Sequence, residues 1–203
     1  MTKRSMAGAR QSRRKELAQL AGDRNGVFTA AAARSLGVSS SALAYHSSTG
    51  TIKRVGHGVY RLADFPSSPQ EAIIAAAAAL GDSAVLSHES ALKLYSVSDV
   101  SSSRLTFTVP RNRRYKVAPT ADVELHTTSR AFAPGDVVQH EGFRATSLAR
   151  SIVDAARSNT APEQIVMAVR EGLRRNLIVR RDLERALRDA PIRVQRLIKG
   201  ALE

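Results

Sequence analysis

Hydrophobic positions recur at helical spacing in the segment after Asn25 and then change to alternation. Apolar residues and alanines predict a helix over about 30–36, which Gly37 ends, and a second helix over about 40–48, which Gly50 ends. Thr29 is a suitable N-cap for the first helix, and Ser39 or Ser40 for the second.

Two short runs that alternate between apolar and polar residues come next, at 51–55 and 59–62. Glycines in the Gly56-His57-Gly58 stretch between them indicate a hairpin turn. A helix, a tight turn, a second helix and a hairpin together predict a winged helix-turn-helix, which places its second helix in the major groove of DNA.

The rest of the chain mixes strand and helix patterns. Strands are predicted over 104–110 and 123–127, and a hairpin over 136–145 that turns at Glu141-Gly142. Ser68 and Thr160 each start a capping signature with a proline and a glutamate. Apolar stripes and capping residues predict helices over 70–80, 87–94, 147–157, 164–175, 181–188 and 192–202.

We therefore predict an α+β fold, in which an N-terminal winged helix-turn-helix is followed by a mixed α/β domain that ends in a helical cluster. The predicted divisions are a disordered basic tail over 1–12, the winged helix-turn-helix over 13–63, a Pro/Ser-rich linker over 64–69 and the α/β domain over 70–203.

The second helix of the motif predicts the DNA contacts. Leu43 is expected to face inward, which leaves a face of short hydrogen-bonding side chains and no acidic residue for base edges and phosphates. The candidate contacts on this helix are Ser39, Ser40, Ser41, Tyr45 and His46. Lys53, Arg54, His57 and Arg61 are expected to line the outer side of the wing, and Arg13, Arg14 and Lys15 to add phosphate contacts. The alternative is an interaction protein or RNA-binding adaptor, in which the winged helix is mainly a protein-docking platform or scaffold.

The distribution of charge favours DNA binding by the winged helix. The net charge of +13 is uneven, because residues 1–62 hold eleven Lys and Arg against two Asp and Glu. A positive field attracts a polyanion and adds affinity that does not depend on base sequence. The chain has no cysteine, which excludes disulfides, Cys-based zinc sites and thiol nucleophiles. We expect a cytoplasmic protein without a signal peptide or membrane span.

Catalytic chemistry has only one weak signal. Ser87, His88 and Glu89 are adjacent, but three consecutive residues at a helix start are expected to fan outward, with Ser87 as the cap. The sequence shows no metal-ligand spacing, Walker loop or dinucleotide fingerprint, so we expect neither an enzyme nor a cofactor.

Arginine clusters in the second half raise the possibility of an acidic partner. The run from Arg111 to Lys116 is open to three interpretations: a second nucleic-acid contact, a dock for an acidic protein, or a solvated loop. The candidate partner-binding residues are Arg111, Arg113, Arg114, Arg174, Arg175 and Arg181.

Four segments carry a resemblance to a known family: GVFTAAAARSLGVSSSAL, VGHGVYRL, AVLSHESALKLYSV and EGFRATSLARSIVDAAR. Together they resemble the AbiEi-type antitoxins of bacterial type IV toxin–antitoxin systems, especially the actinobacterial members, over nearly all of residues 13–203. The resemblance implies a winged helix that represses its own operon, with operator DNA as its partner. It also implies a C-terminal domain that counteracts a co-encoded nucleotidyltransferase-like toxin. Some relatives carry a nuclease-like extension that this sequence lacks, so nuclease activity is not expected.

Overall fold

The computed structural model describes residues 17–19, 21–112 and 122–203. The helices are α1 Ala30–Ser35, α2 Ser40–Ser48, α3 Glu71–Leu80, α4 His88–Tyr95, α5 Leu148–Arg157, α6 Pro162–Arg174, α7 Arg180–Leu187 and α8 Ile192–Gly200. The strands are β1 Val27–Thr29, β2 Ile52–Gly56, β3 Val59–Leu62, β4 Val85–Leu86, β5 Leu105–Pro110, β6 Val123–Thr128, β7 Val137–His140 and β8 Phe143–Thr146. The mixed α+β class predicted from the sequence is confirmed.

Two compact units make up the chain. The first runs up to Asp82 and also includes Glu141–Phe143, and the second comprises residues 83–140 and 144–203. This division differs from the predicted boundary at 64–69, because α3 packs on β1, β2 and β3 of the first unit.

The first unit is built on a three-stranded antiparallel sheet in the order β1-β3-β2. Its core is a small apolar cluster to which both helices of the motif contribute, and residues 17–19 and 21–22 are helical beside it. The buried members of that cluster are Leu17, Ala21, Phe28, Ala33, Leu43, Ile52 and Leu62. The ring of Phe28 also stacks on Tyr60 at 5.9 Å between centroids.

The second unit holds a five-stranded mixed sheet in the order β6-β5-β4-β8-β7. β4 runs antiparallel to β5 and parallel to β8, and β5 runs parallel to β6. Four helices, α5 to α8, form the predicted helical cluster around fully buried Ile152, Ile165, Leu183 and Ile198.

Several local predictions need correction. The pattern of residues does not predict β1 or β4, which are three and two residues long and too short to show alternation. α3 begins at Glu71 after Gln70, because the Ser68 hydroxyl accepts from the Gln70 backbone N–H instead of capping the helix. The hydroxyl of Thr160 likewise donates to Glu89 and leaves the N-cap position of α6 to Ala161.

Candidate nucleic-acid interface

The corner between α1 and α2 is fixed by two side-chain caps. The Thr29 hydroxyl accepts from the Ala32 backbone N–H at 3.1 Å, and the Ser39 hydroxyl accepts from the Ala42 N–H at 3.1 Å. Gly37 between the helices has φ +75°, a left-handed conformation that glycine adopts at little cost. The predicted caps are therefore confirmed, and Ser39 is the N-cap of α2. Its Oγ also lies 2.9 Å from the Ser41 Oγ, so this hydroxyl is already engaged within the protein.

α2 has one buried face and one exposed face. Leu43 is 2% exposed in the core of the first unit, whereas Tyr45 is 64% exposed and packs edge-on against His46 at 5.5 Å. Ser40 and Ser41 are exposed as well. No aspartate or glutamate occurs between Ala30 and Leu62, so nothing acidic in this stretch would repel a phosphate backbone.

The wing carries its charge outward. Lys53 and Arg54 of β2 are exposed, and so is His57 in the turn. The register between β2 and β3 shifts between Arg54 and Gly56, which is a bulge, and the Arg54 Nε donates to the Gly56 carbonyl at 3.3 Å. A bulge of this kind increases local twist and re-aims a side chain.

Arg61 does not line the outer side of the wing, so that prediction is wrong. It is 6% exposed, its Nε lies 3.2 Å from Oε2 of Glu71, and its Nη1 donates to the Phe65 carbonyl at 2.7 Å. Buried charges need a partner of this kind, which here comes from α3. Arg61 is therefore a structural residue that links the sheet of the first unit to α3.

The predicted auxiliary contacts Arg13, Arg14 and Lys15 lie outside the described residues, as does the predicted tail over 1–12. Arg113 and Arg114 also lie outside them. Contact of any of the predicted residues with DNA remains a prediction.

A second polar cluster lies at the start of α4, where the sequence predicts side chains that face outward from the first helical turn. Ser87 does occupy the predicted N-cap position, although without a side-chain cap bond, but Ser87 and His88 are both buried, so the prediction that these side chains face outward is wrong. The Ser87 Oγ is 2.8 Å from both Thr108 Oγ1 and His88 Nδ1, and the His88 ring stacks on His126 at 3.9 Å. Burial lowers the pKa of His88 to about 3, and the nearby charges of His126 and Arg150 lower it in the same direction. Glu89 accepts from Thr160 at 2.9 Å, so its carboxylate does not orient His88 as a triad would require.

The candidate partner-binding arginines differ in their surroundings. Arg174 is bound to Glu171 through two guanidinium nitrogens, and its pKa is raised by that hydrogen bond. Arg175 donates to the carbonyls of Tyr95 and Ser96. Arg111 and Arg181 are exposed.

Among the residues that the structure describes, no group of three His, Asp or Glu side chains is placed to hold a metal ion. No described helix is long and apolar enough to cross a membrane.

Comparison with known proteins supports the resemblance stated above. A family model described as a transcriptional regulator, AbiEi antitoxin, matches residues 15–63. No curated protein matches. Among solved structures, the Rv2827c protein from Mycobacterium tuberculosis is similar with a TM-score of 0.59 and 16% identity, over 92% of this chain and 76% of that one. That similarity concerns the fold. The segment that matches the AbiEi family model contains the capped α1–α2 corner and the wing.

Proposed function

We propose that this protein is a cytoplasmic antitoxin that binds the operator DNA of its own operon through α2 and the wing. The supporting observation is the exposed face of α2, on which Tyr45 is 64% exposed. A cationic hairpin follows α2, and no aspartate or glutamate occurs between Ala30 and Leu62. Ser40, Ser41, Tyr45 and His46 contact base edges or position the helix, while Lys53, Arg54 and His57 bind phosphates. Ser39 contributes by holding the first turn of α2 in place.

The proposed second activity is to counteract a co-encoded nucleotidyltransferase-like toxin. It is supported by the family of the N-terminal segment and by exposed arginines in the second unit, such as Arg111 and Arg181. Co-expression with the neighbouring gene tests this activity: the full chain should restore growth to cells in which that gene product is toxic. A neighbouring product that is not toxic, or toxicity that persists, would remove this part of the proposal.

Salt dependence of DNA binding tests the wing directly. We expect duplex DNA from upstream of the gene to bind at least about a hundredfold more tightly than random duplex at physiological salt. Lys53→Ala combined with Arg54→Ala should reduce the slope of log Kd against log salt by about 1.8, because each lost phosphate contact removes about 0.9. Fluorescence anisotropy over a salt series measures both quantities.

The matched control is Arg196→Ala combined with Lys199→Ala, which removes the same charge from exposed positions of α8. This variant should keep the wild-type slope. A slope that is unchanged in the wing variant, or equal affinity for random duplex, would favour a winged helix that serves as a protein scaffold.

A further inference from the structure

A cationic groove lies in the second unit, apart from the residues assigned to DNA. It has a volume of about 970 Å³ and is bordered by the ends of β5 and β6 and by the loop over 128–135. The lining residues that could bind a ligand through charge, hydrogen bonds or stacking are Arg111, Asn112, Ser129, Arg130, Phe132 and Arg144.

The lining includes three arginines and, among the described residues, no aspartate or glutamate. Asp136, which lies between the lining residues Gly135 and Val137 in the sequence, accepts from Arg150 at 2.9 Å. Arg130 pairs with Asp189, but both side chains are about four-fifths exposed, and such a pair is readily exchanged for another anion. The groove lining therefore offers an anion three guanidinium groups, of which Arg130 would have to exchange its exposed partner Asp189.

The same lining also includes apolar and aromatic side chains. Phe132 lines the groove together with Pro110 and Pro134, and the guanidinium of Arg150 lies 5.3 Å from the centre of the Phe132 ring. A groove that combines cations with an aromatic ring suits a ligand that has a charged backbone and planar side groups. A simple anion or a purely acidic peptide would leave the aromatic part of the groove unused.

Hydrogen bonds hold the groove in shape without a ligand. The Thr128 hydroxyl donates to the Arg130 carbonyl at 2.8 Å, and the Arg111 backbone N–H donates to the Thr128 carbonyl at 2.8 Å. The other end of the loop is fixed because Asp136 Oδ2 accepts from the Ala133 N–H and from Arg150. A site ordered in advance loses less conformational entropy when a ligand binds.

We propose that this groove binds single-stranded nucleic acid, with phosphates along Arg111, Arg130 and Arg144 and a base stacked against Phe132. The groove shares no residue with α2 or the wing, and the proposal does not depend on operator binding.

The test uses the full chain carrying Lys53→Ala and Arg54→Ala, which weakens binding through the first unit, and labelled 12-residue single-stranded RNA and DNA oligonucleotides. In this background, Arg111→Glu should weaken binding of the oligonucleotides about tenfold at 150 mM salt. Arg196→Glu makes the same change of charge on the exposed face of α8 and should weaken binding by less than about twofold. Equal losses in the two variants would overturn the proposal, because they would show that only net charge matters.

Phe132→Leu separates a nucleic acid from other polyanions. It should weaken oligonucleotide binding about fivefold, through the loss of stacking, while leaving heparin binding unchanged. Equal losses for both ligands would assign the groove to anions in general, and tighter, Arg111-dependent binding of an oligoglutamate peptide would assign it to an acidic protein. Either result would overturn the proposal. With the wild-type wing restored, Arg111→Glu should keep duplex DNA affinity within about twofold, so the two proposals fail independently.

Discussion

Two helices of this protein begin with similar polar residues and use them in opposite ways. α2 begins with Ser39-Ser40-Ser41, and α4 begins with Ser87-His88-Glu89. The Ser39 hydroxyl caps its helix, and the polar side chains after it are exposed. Ser87 occupies the same N-cap position but makes no cap bond. Its hydroxyl instead forms hydrogen bonds with Thr108 and His88 in the interior.

The strand before α4 explains the difference. Ser87 follows β4 directly, and its backbone N–H donates to the Thr106 carbonyl, which extends the pairing with β5 to the helix start. A residue attached to a central strand is buried whatever its polarity, and its hydroxyl then needs a partner inside. The same residue type is therefore exposed in one unit and contributes to internal order in the other.

The largest difference is expected between two arginines. Arg150→Met leaves the buried carboxylate of Asp154 and the largely buried Asp136 without their shared cation, which should lower the free energy of unfolding by about 3 kcal/mol. Arg54→Met removes an exposed wing charge and should change it by less than about 0.5 kcal/mol. Urea denaturation followed by circular dichroism measures both. Equal effects would show that the ion network of the second unit is no more stabilising than the surface of the first.

The pH dependence of stability should be the next largest effect. The folded-state pKa of His88 is about 3, below that of the unfolded chain, so the unfolded state takes up a proton that the folded state excludes. Stability contributed by this neutral histidine is present above pH 6.5 and falls as the pH drops, by about 2 kcal/mol between pH 6.5 and 5. In His88→Asn, whose side chain also tolerates the φ of +55°, the free energy of unfolding should lose that part of its pH dependence.

The control for this experiment is His46→Asn, which replaces an exposed histidine of α2 and should retain the wild-type slope. If His88→Asn retains it as well, the buried ring does not govern the acid sensitivity of the second unit.

The smallest of the three differences compares two serines. Ser87→Ala leaves Thr108 Oγ1 and His88 Nδ1 without their shared partner and should cost about 1–2 kcal/mol of stability. Ser41→Ala should be neutral for stability within about 0.5 kcal/mol but weaken operator binding. Thermal unfolding and anisotropy on both variants test this crossed pattern, which a loss of stability in Ser41→Ala would contradict.

Sequence reasoning succeeded where local rules decide the outcome. The caps Thr29 and Ser39, the Gly37 corner and the α2–wing order follow from side chains that act on their own neighbours. It failed where distant contacts decide, as at Arg61, whose partner Glu71 lies on a helix assigned to the other domain. The sequence predicts only part of the groove. Arg111 belongs to a visible basic run, whereas Arg130 and Arg144 lie far from it along the chain and line the same groove only after folding.

Glu141–Phe143 belong to the first unit although they lie some sixty residues beyond its end at Asp82. Gly142 has φ +81°, and a Cβ there would meet Ile74 at 3.0 Å and the Arg24 Cα at 3.1 Å, so this short return of the chain fits closely against the first unit. No single cut in the gene can therefore yield both units whole. A fragment that stops after Asp82 would lack Glu141–Phe143, and one that starts there would carry these residues without the rest of the first unit. To express the two units separately, residues 141–143 would have to be added to the N-terminal fragment.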